Sequence, residues 1–203
     1  MSVICNKVKE RKKTQVTTAT GTYNQPEIIR LVEKAAGGNF DAFGELYTVY
    51  LDQIYRYVFY QVNDKMTAED ITEEVFVKAW KAIGSCKGKE KTFLSWLYRI
   101  ARNHLINTLR SMKRFASIEE ENFVDIIDPK IEVEAEIECQ ELLEKISYLP
   151  KNQRQVIILK FIEGLDNREI SKIMGKNEGA IRVSQMRALA TLRQELGNEK
   201  VWK

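Results

Sequence analysis

The run Glu169-Ile-Ser-Lys-Ile-Met-Gly-Lys-Asn-Glu-Gly-Ala-Ile-Arg-Val-Ser-Gln-Met-Arg-Ala-Leu189 divides into two short amphipathic helices about a tight turn. Ile170, Ile173 and Met174 recur at spacings of three and four, which places them on one helical face. Gly175 stands where a helix end wants a residue free to take positive φ. Asn177 can then cap the next helix, since its side-chain oxygen reaches an unpaired backbone N–H. On that second helix Ile181, Ala188, Leu189, Leu192 and Leu196 share a side, and Arg182, Val183, Met186 and Arg187 fall away from it. A helix that buries one side and shows arginine and small apolar groups on the other suits a DNA major groove. An ordinary helical hairpin is the plain alternative, and spacing alone does not separate the two.

Composition narrows the classes. The chain has 203 residues, of which 30% are charged and 44% apolar, enough for one or two globular domains. With three prolines and ten glycines, long helices are permitted. No apolar run is long enough to span a bilayer, and residues 1–22 are polar and basic without the apolar core of a signal peptide. A cytoplasmic protein without stable membrane insertion is expected. Cys5, Cys86 and Cys139 are scattered and odd in number, and His104 is the single histidine, which argues against a disulfide framework or zinc site. No phosphate loop, nucleophile elbow or metal-ligand cluster appears, so no cofactor, metal or catalytic residue is assigned.

The formal net charge of +3 conceals strong segregation. Residues 84–114 hold eight basic groups against one acidic, and residues 151–203 hold eleven against six. Between them, residues 115–150 hold two basic against eleven acidic. Two basic blocks flanking an acidic one suggest two contacts with a phosphate backbone.

The helical period runs through most of the chain. Residues 1–24 read as a disordered basic tail. A short helix is expected over Pro26–Ala36, stopped by Gly37-Gly38. Asp41 can cap a long helix to about Val62, and Thr67 the next, which carries Ile71, Val75, Phe76 and Trp80. After a basic loop from Gly84 to Lys91, another helix runs from Thr92 to about Arg114 with Phe93, Trp96, Leu97, Ile100, Leu105 and Leu109. Residues 115–136 read as an acidic flexible linker, broken at Asp128-Pro129. A helix from about Glu132 to Tyr148 and the helices of residues 151–196 then form a second domain, 137–197, with a short tail at 198–203. The fold class is all-α: two small helical domains joined by an acidic flexible linker, the C-terminal one holding the helix-turn-helix.

Five runs carry a family resemblance. Leu149-Pro-Lys-Asn-Gln-Arg-Gln-Val-Ile-Ile-Leu-Lys-Phe161, then Glu163-Gly-Leu-Asp-Asn-Arg-Glu-Ile170 and Gly179-Ala-Ile-Arg-Val183, resemble the C-terminal DNA-binding domain of bacterial sigma factors. Thr67-Ala-Glu-Asp-Ile-Thr-Glu-Glu-Val-Phe-Val-Lys-Ala-Trp80 and Phe93-Leu-Ser-Trp-Leu-Tyr-Arg-Ile-Ala-Arg-Asn103 resemble two helices of their N-terminal domain. The resemblance covers roughly residues 40–113 and 138–196 and lacks the middle domain of the large housekeeping factors. It therefore points to the extracytoplasmic-function (ECF) group of the sigma-70 family. Ser184 and Gln185 depart from the residues common at their positions in that family.

The resemblance implies region 2 over residues 25–114 and region 4 over residues 137–197. Glu69, Asp70, Glu73, Glu74 and Lys78 would then bind core RNA polymerase at the β′ clamp coiled coil, with the β flap as a second polymerase contact. Lys87, Lys89, Lys91, Arg99, Arg102, Asn103, Asn107 and Arg110 would bind the −10 element and help melt it. Lys176, Asn177, Arg182, Val183, Met186 and Arg187 would read the −35 element. Promoter DNA, core polymerase and an anti-sigma factor are the implied partners, and the acidic linker would thread polymerase channels built for nucleic acid. Two rivals stay open on the residues alone: a stand-alone helix-turn-helix regulator, and a sigma-like decoy that sequesters an anti-sigma protein.

Overall fold

The computed structural model describes residues 15–18, 21–86, 93–116 and 145–195. They fall into two compact units, before and after residue 131.

The first unit opens with β1 (Gln15–Thr18) and β2 (Gly21–Asn24), an antiparallel pair in which Val16 lies opposite Tyr23. Eight residues assigned by sequence to a disordered tail, 15–18 and 21–24, thus form a strand pair, which lies against the two helices that follow. Those helices are α1 (Gln25–Ala36) and α2 (Phe40–Val62), followed by α3 (Lys65–Ala82) and α4 (Phe93–Ala116). Asn24 and Glu27 form a reciprocal capping box on α1, each side chain accepting from the other's backbone N–H.

The caps of α2 and α3 differ from those expected. Asn39 caps α2, its Oδ1 accepting from Ala42 N at 2.8 Å, and Asp41 lies in the first turn beyond it. Asp64 caps α3, accepting from Thr67 N at 2.7 Å, so Thr67 is the third helical residue rather than the cap. In each case a polar residue three positions before the paired N–H has the reach, and an acidic or hydroxyl residue inside the first turn does not. The cap bonds from Thr67 also hold the Asp64 carboxyl below its ordinary pKa.

Aromatic residues on α2 explain why these helices pack. Phe43 meets Trp80 and Tyr47 meets Phe76 of α3, at centroid separations of 5.1 and 4.7 Å. Tyr50 meets Phe93 and Tyr57 meets Tyr98 of α4, at 5.4 and 5.2 Å. Such pairs add about 0.5–1.5 kcal/mol each beyond the area they bury. Ile54, Val58, Ala68, Val75, Leu97 and Ala101 close the core between them.

In the second unit, residues 145–147 are helical. Tyr148, the last residue of the helix expected over 132–148, is a turn; the rest of that helix before Lys145, and the linker before it, lie outside the described residues apart from Phe115 and Ala116, which extend α4. Next comes α5 (Lys151–Ile157), which continues into a π turn at Ile158–Ile162. There Glu163 N donates to Ile158 O at 3.0 Å, a bond spanning five residues. Helices α6 (Asn167–Met174) and α7 (Glu178–Glu195) complete the unit, both α5 and α6 packing on α7. Val156, Leu159, Ile170, Ile181 and Ala188 are its fully buried centre.

Candidate nucleic-acid and polymerase interfaces

The turn between α6 and α7 is built as the sequence predicts. Asp166 and Glu169 form a capping box at the start of α6, with both bonds at 2.8 Å. Gly175 ends the helix at φ 64°, its N–H donating to Ser171 O, a left-handed cap that favours glycine. Asn177 Oδ1 then accepts from Ala180 N at 2.7 Å and starts α7. Asn177 therefore already serves as a cap, although its side chain is exposed.

With Ile181, Ala188 and Leu192 buried, α7 turns Arg182, Val183, Met186 and Arg187 to solvent. Leu189 is half-buried, and Leu196 lies outside the described residues. Lys176 is half-buried at the turn. Arg182 Nη2 lies 3.5 Å from Glu178 Oε2, a partner sequence reading did not single out. Its signal was present: the two stand four apart on one helix.

On α4, Arg99, Asn103, Asn107 and Arg110 are exposed and fall within a quarter turn of one another, one polar stripe. Arg102 is a sixth of a turn away and half-buried. Its charge acts on the buried Tyr57 phenol, whose pKa burial raises and Arg102 partly lowers. Lys87, Lys89 and Lys91 lie outside the described residues.

On α3, Glu69, Asp70, Glu73, Glu74 and Lys78 are all exposed. Met66 and Val77, also exposed, flank Asp70 and Glu73 on the same stripe, so this face is apolar as well as acidic. Glu74 is committed within the chain. Its Oε2 lies 3.2 Å from Lys78 Nζ and 2.8 Å from His104 Nε2 on α4, the latter a close polar contact in which the ring N–H is poorly aligned for a hydrogen bond. Sequence periodicity does not disclose a contact between residues thirty apart.

Burial holds the His104 pKa below the ordinary imidazole value; Lys78 pushes the same way and Glu74 opposes. Above about pH 6.5 the ring is neutral folded or unfolded. As pH falls through that value the unfolded chain takes up the proton first, so the folded state loses stability. His104→Gln is expected to flatten this part of the pH dependence between pH 7.5 and 5.5 in chemical denaturation. An unchanged slope would remove His104 as its source.

Among the described residues, no group of His, Cys, Asp or Glu could hold a metal ion, and no helix is long and apolar enough to cross a membrane. Two helical units, one ending in a basic helix-turn-helix and the other joining an acidic helix to a basic one, have the arrangement expected of a DNA-binding protein. Comparison with known families makes the class specific. The description "Sigma-70 region 2" matches residues 46–115, and "Sigma-70, region 4" matches residues 139–192. The ECF RNA polymerase sigma factor BldN of Streptomyces coelicolor is 36% identical over 176 residues, covering 85% of this chain and 67% of that protein. SigW of Bacillus subtilis, another ECF sigma factor, is 30% identical over 181 residues, covering 83% and 96%. The chain belongs to the ECF group of RNA polymerase sigma factors.

Solved structures agree on the fold. The sigma factor RpoE of Bartonella quintana, in complex with the anti-sigma factor NepR, aligns at TM-score 0.70 and 20% identity over 78% of this chain and 98% of that one. CnrH, in complex with the cytosolic domain of CnrY, aligns at 0.65 and 23% over 86% and 99%.

Proposed function

We propose that this chain divides the work of promoter-specific initiation between its two units. The first binds core RNA polymerase through the acidic face of α3 and the −10 element through the basic stripe of α4 and the lysines at 87, 89 and 91. The second reads the −35 element with the outward face of α7 and contacts the polymerase β flap. Once duplex is opened, capture of an unstacked base offsets the few kcal/mol that unstacking costs, so melting needs no nucleotide hydrolysis by this chain. The protein works in the cytoplasm, performs no catalysis itself, and has an anti-sigma factor as a further partner. One observation carries the reading: regions 2 and 4 of the sigma-70 family fall on the two helical units.

The test is transcription reconstituted from core polymerase, the purified chain and genomic fragments. Specific initiation dependent on both proteins is expected. Tight sequence-specific binding by an isolated dimer, with no polymerase association, would make the chain a stand-alone regulator instead.

Within that assay, Arg182→Ala and Arg187→Ala are each expected to lower use of the −35 element and leave polymerase binding intact. An arginine donating two bonds to guanine is worth about 1–3 kcal/mol of discrimination. Loss of preference at one base pair marks a base contact, and uniform weakening marks a phosphate contact. Wild-type behaviour of both variants across a promoter library would remove the two arginines from recognition.

A further inference from the structure

The outward face of α7 is not simply basic. Taking 100° per residue, Gly179, Val183, Met186 and Ala190 lie within about 60° of each other. All four are exposed. Val183 is 43% and Met186 64% exposed. Arg182 borders this strip on one side and Arg187 on the other, both exposed. A helix face that only gripped phosphates would gain from charged or hydroxyl groups at 183 and 186, since phosphates carry no apolar surface. The base edges of a major groove offer one apolar group, the 5-methyl of thymine. The flanking arginines supply the positive charge that draws such a strip to nucleic acid.

Resting on the reading of α7 as the duplex-recognition helix, we propose that Val183 and Met186 are specificity-determining residues that read thymine methyl groups. The two residues are 60° apart around the helix and about 4.5 Å apart along it. Base pairs stack about 3.4 Å apart. The pair therefore addresses neighbouring base pairs, and the element read by α7 carries A·T pairs at those two positions. The arginines on either side read or clamp the positions that flank them.

The experiment uses the full chain with core polymerase and a duplex library randomised over the upstream promoter element. Selected sequences are expected to hold A·T pairs at two neighbouring positions. Replacing each of those thymines with deoxyuridine removes one methyl and keeps base pairing. Association is expected to fall about fourfold per replacement, the factor for one buried methyl-sized group. In Val183→Ala one of these replacements becomes neutral, and in Met186→Ala the other does. Both side chains are exposed, so the variants keep their helical circular dichroism. The proposal is overturned if selection shows no A·T requirement, if deoxyuridine is neutral in the wild type, or if both alanine variants keep its full effect. Those outcomes, with upstream-element dependence intact, leave α7 as the recognition helix. A scrambled upstream element that binds equally well overturns that reading too.

Discussion

Changing Asp70 and Glu73 together to lysine is expected to weaken binding to core RNA polymerase by about a hundredfold or more. The two carboxylates are exposed on α3 between Met66 and Val77. A partner helix carrying basic residues would find charge-assisted hydrogen bonds here, with apolar contact on either side. Reversal replaces attraction with like-charge contact, which costs several kcal/mol at an interface. Glu74 is a poorer choice for this test, because Lys78 and His104 already engage it. The fold survives: exposed charge changes away from special contacts usually stay within about 0.5 kcal/mol. Glu33→Lys with Asp52→Lys, exposed acidic positions on α1 and α2, is the matched control and should bind as wild type. The deficit should depend on ionic strength, since exposed charges are screened over about 8–10 Å at moderate salt. Fluorescence titration with core enzyme reads the effect. Equal affinity for the reversal and the control would return this face to the solvent.

The residues that set the fold also show where sequence reading stops. Helical period exposed the cores of both units because Ile71, Val75 and Phe76, or Ile170, Ile173 and Met174, must share a face to be buried at all. It exposed the outward face of α7 by the same logic, since what a helix does not bury it presents. Caps are harder. Asn39 and Asp41, or Asp64 and Thr67, are competing candidates within a few residues, and reach to one N–H selects between them. The hairpin at 15–24 is two strands of four residues in polar sequence, too short for alternation to register. The π turn at Ile158–Ile162 adds a residue to a helical turn, which periodicity blurs rather than marks. The His104–Glu74 contact joins α3 to α4, so no local pattern encodes it.

Replacing Lys87, Lys89 and Lys91 together with alanine is expected to reduce open-complex formation about fiftyfold and leave initial recruitment nearly unchanged. On a single strand each phosphate contact contributes a salt exponent of about 0.7, so three contacts at about 0.15 M amount to roughly that factor. The segment they occupy joins α3, with its exposed acidic residues, to α4, with its polar stripe of Arg99, Asn103, Asn107 and Arg110. On the proposed reading, cations there would meet the strand released when the −10 duplex opens. On the proposed division of work recruitment rests on α3 and α7, which the substitution leaves untouched, so closed complexes should form at wild-type concentrations of holoenzyme. A template carrying an unpaired bubble around the start site has already met the cost of unstacking, a few kcal/mol per step. On that template the deficit should shrink, whereas a folding or recruitment defect would persist. The wild-type salt exponent for opening should also exceed that of the triple variant by about two. Permanganate reactivity of unpaired thymines on duplex and bubble templates, across a salt series, reads each of these at once. Normal opening of fully duplex promoters by the triple variant would take the three lysines out of melting and leave that work to the stripe on α4.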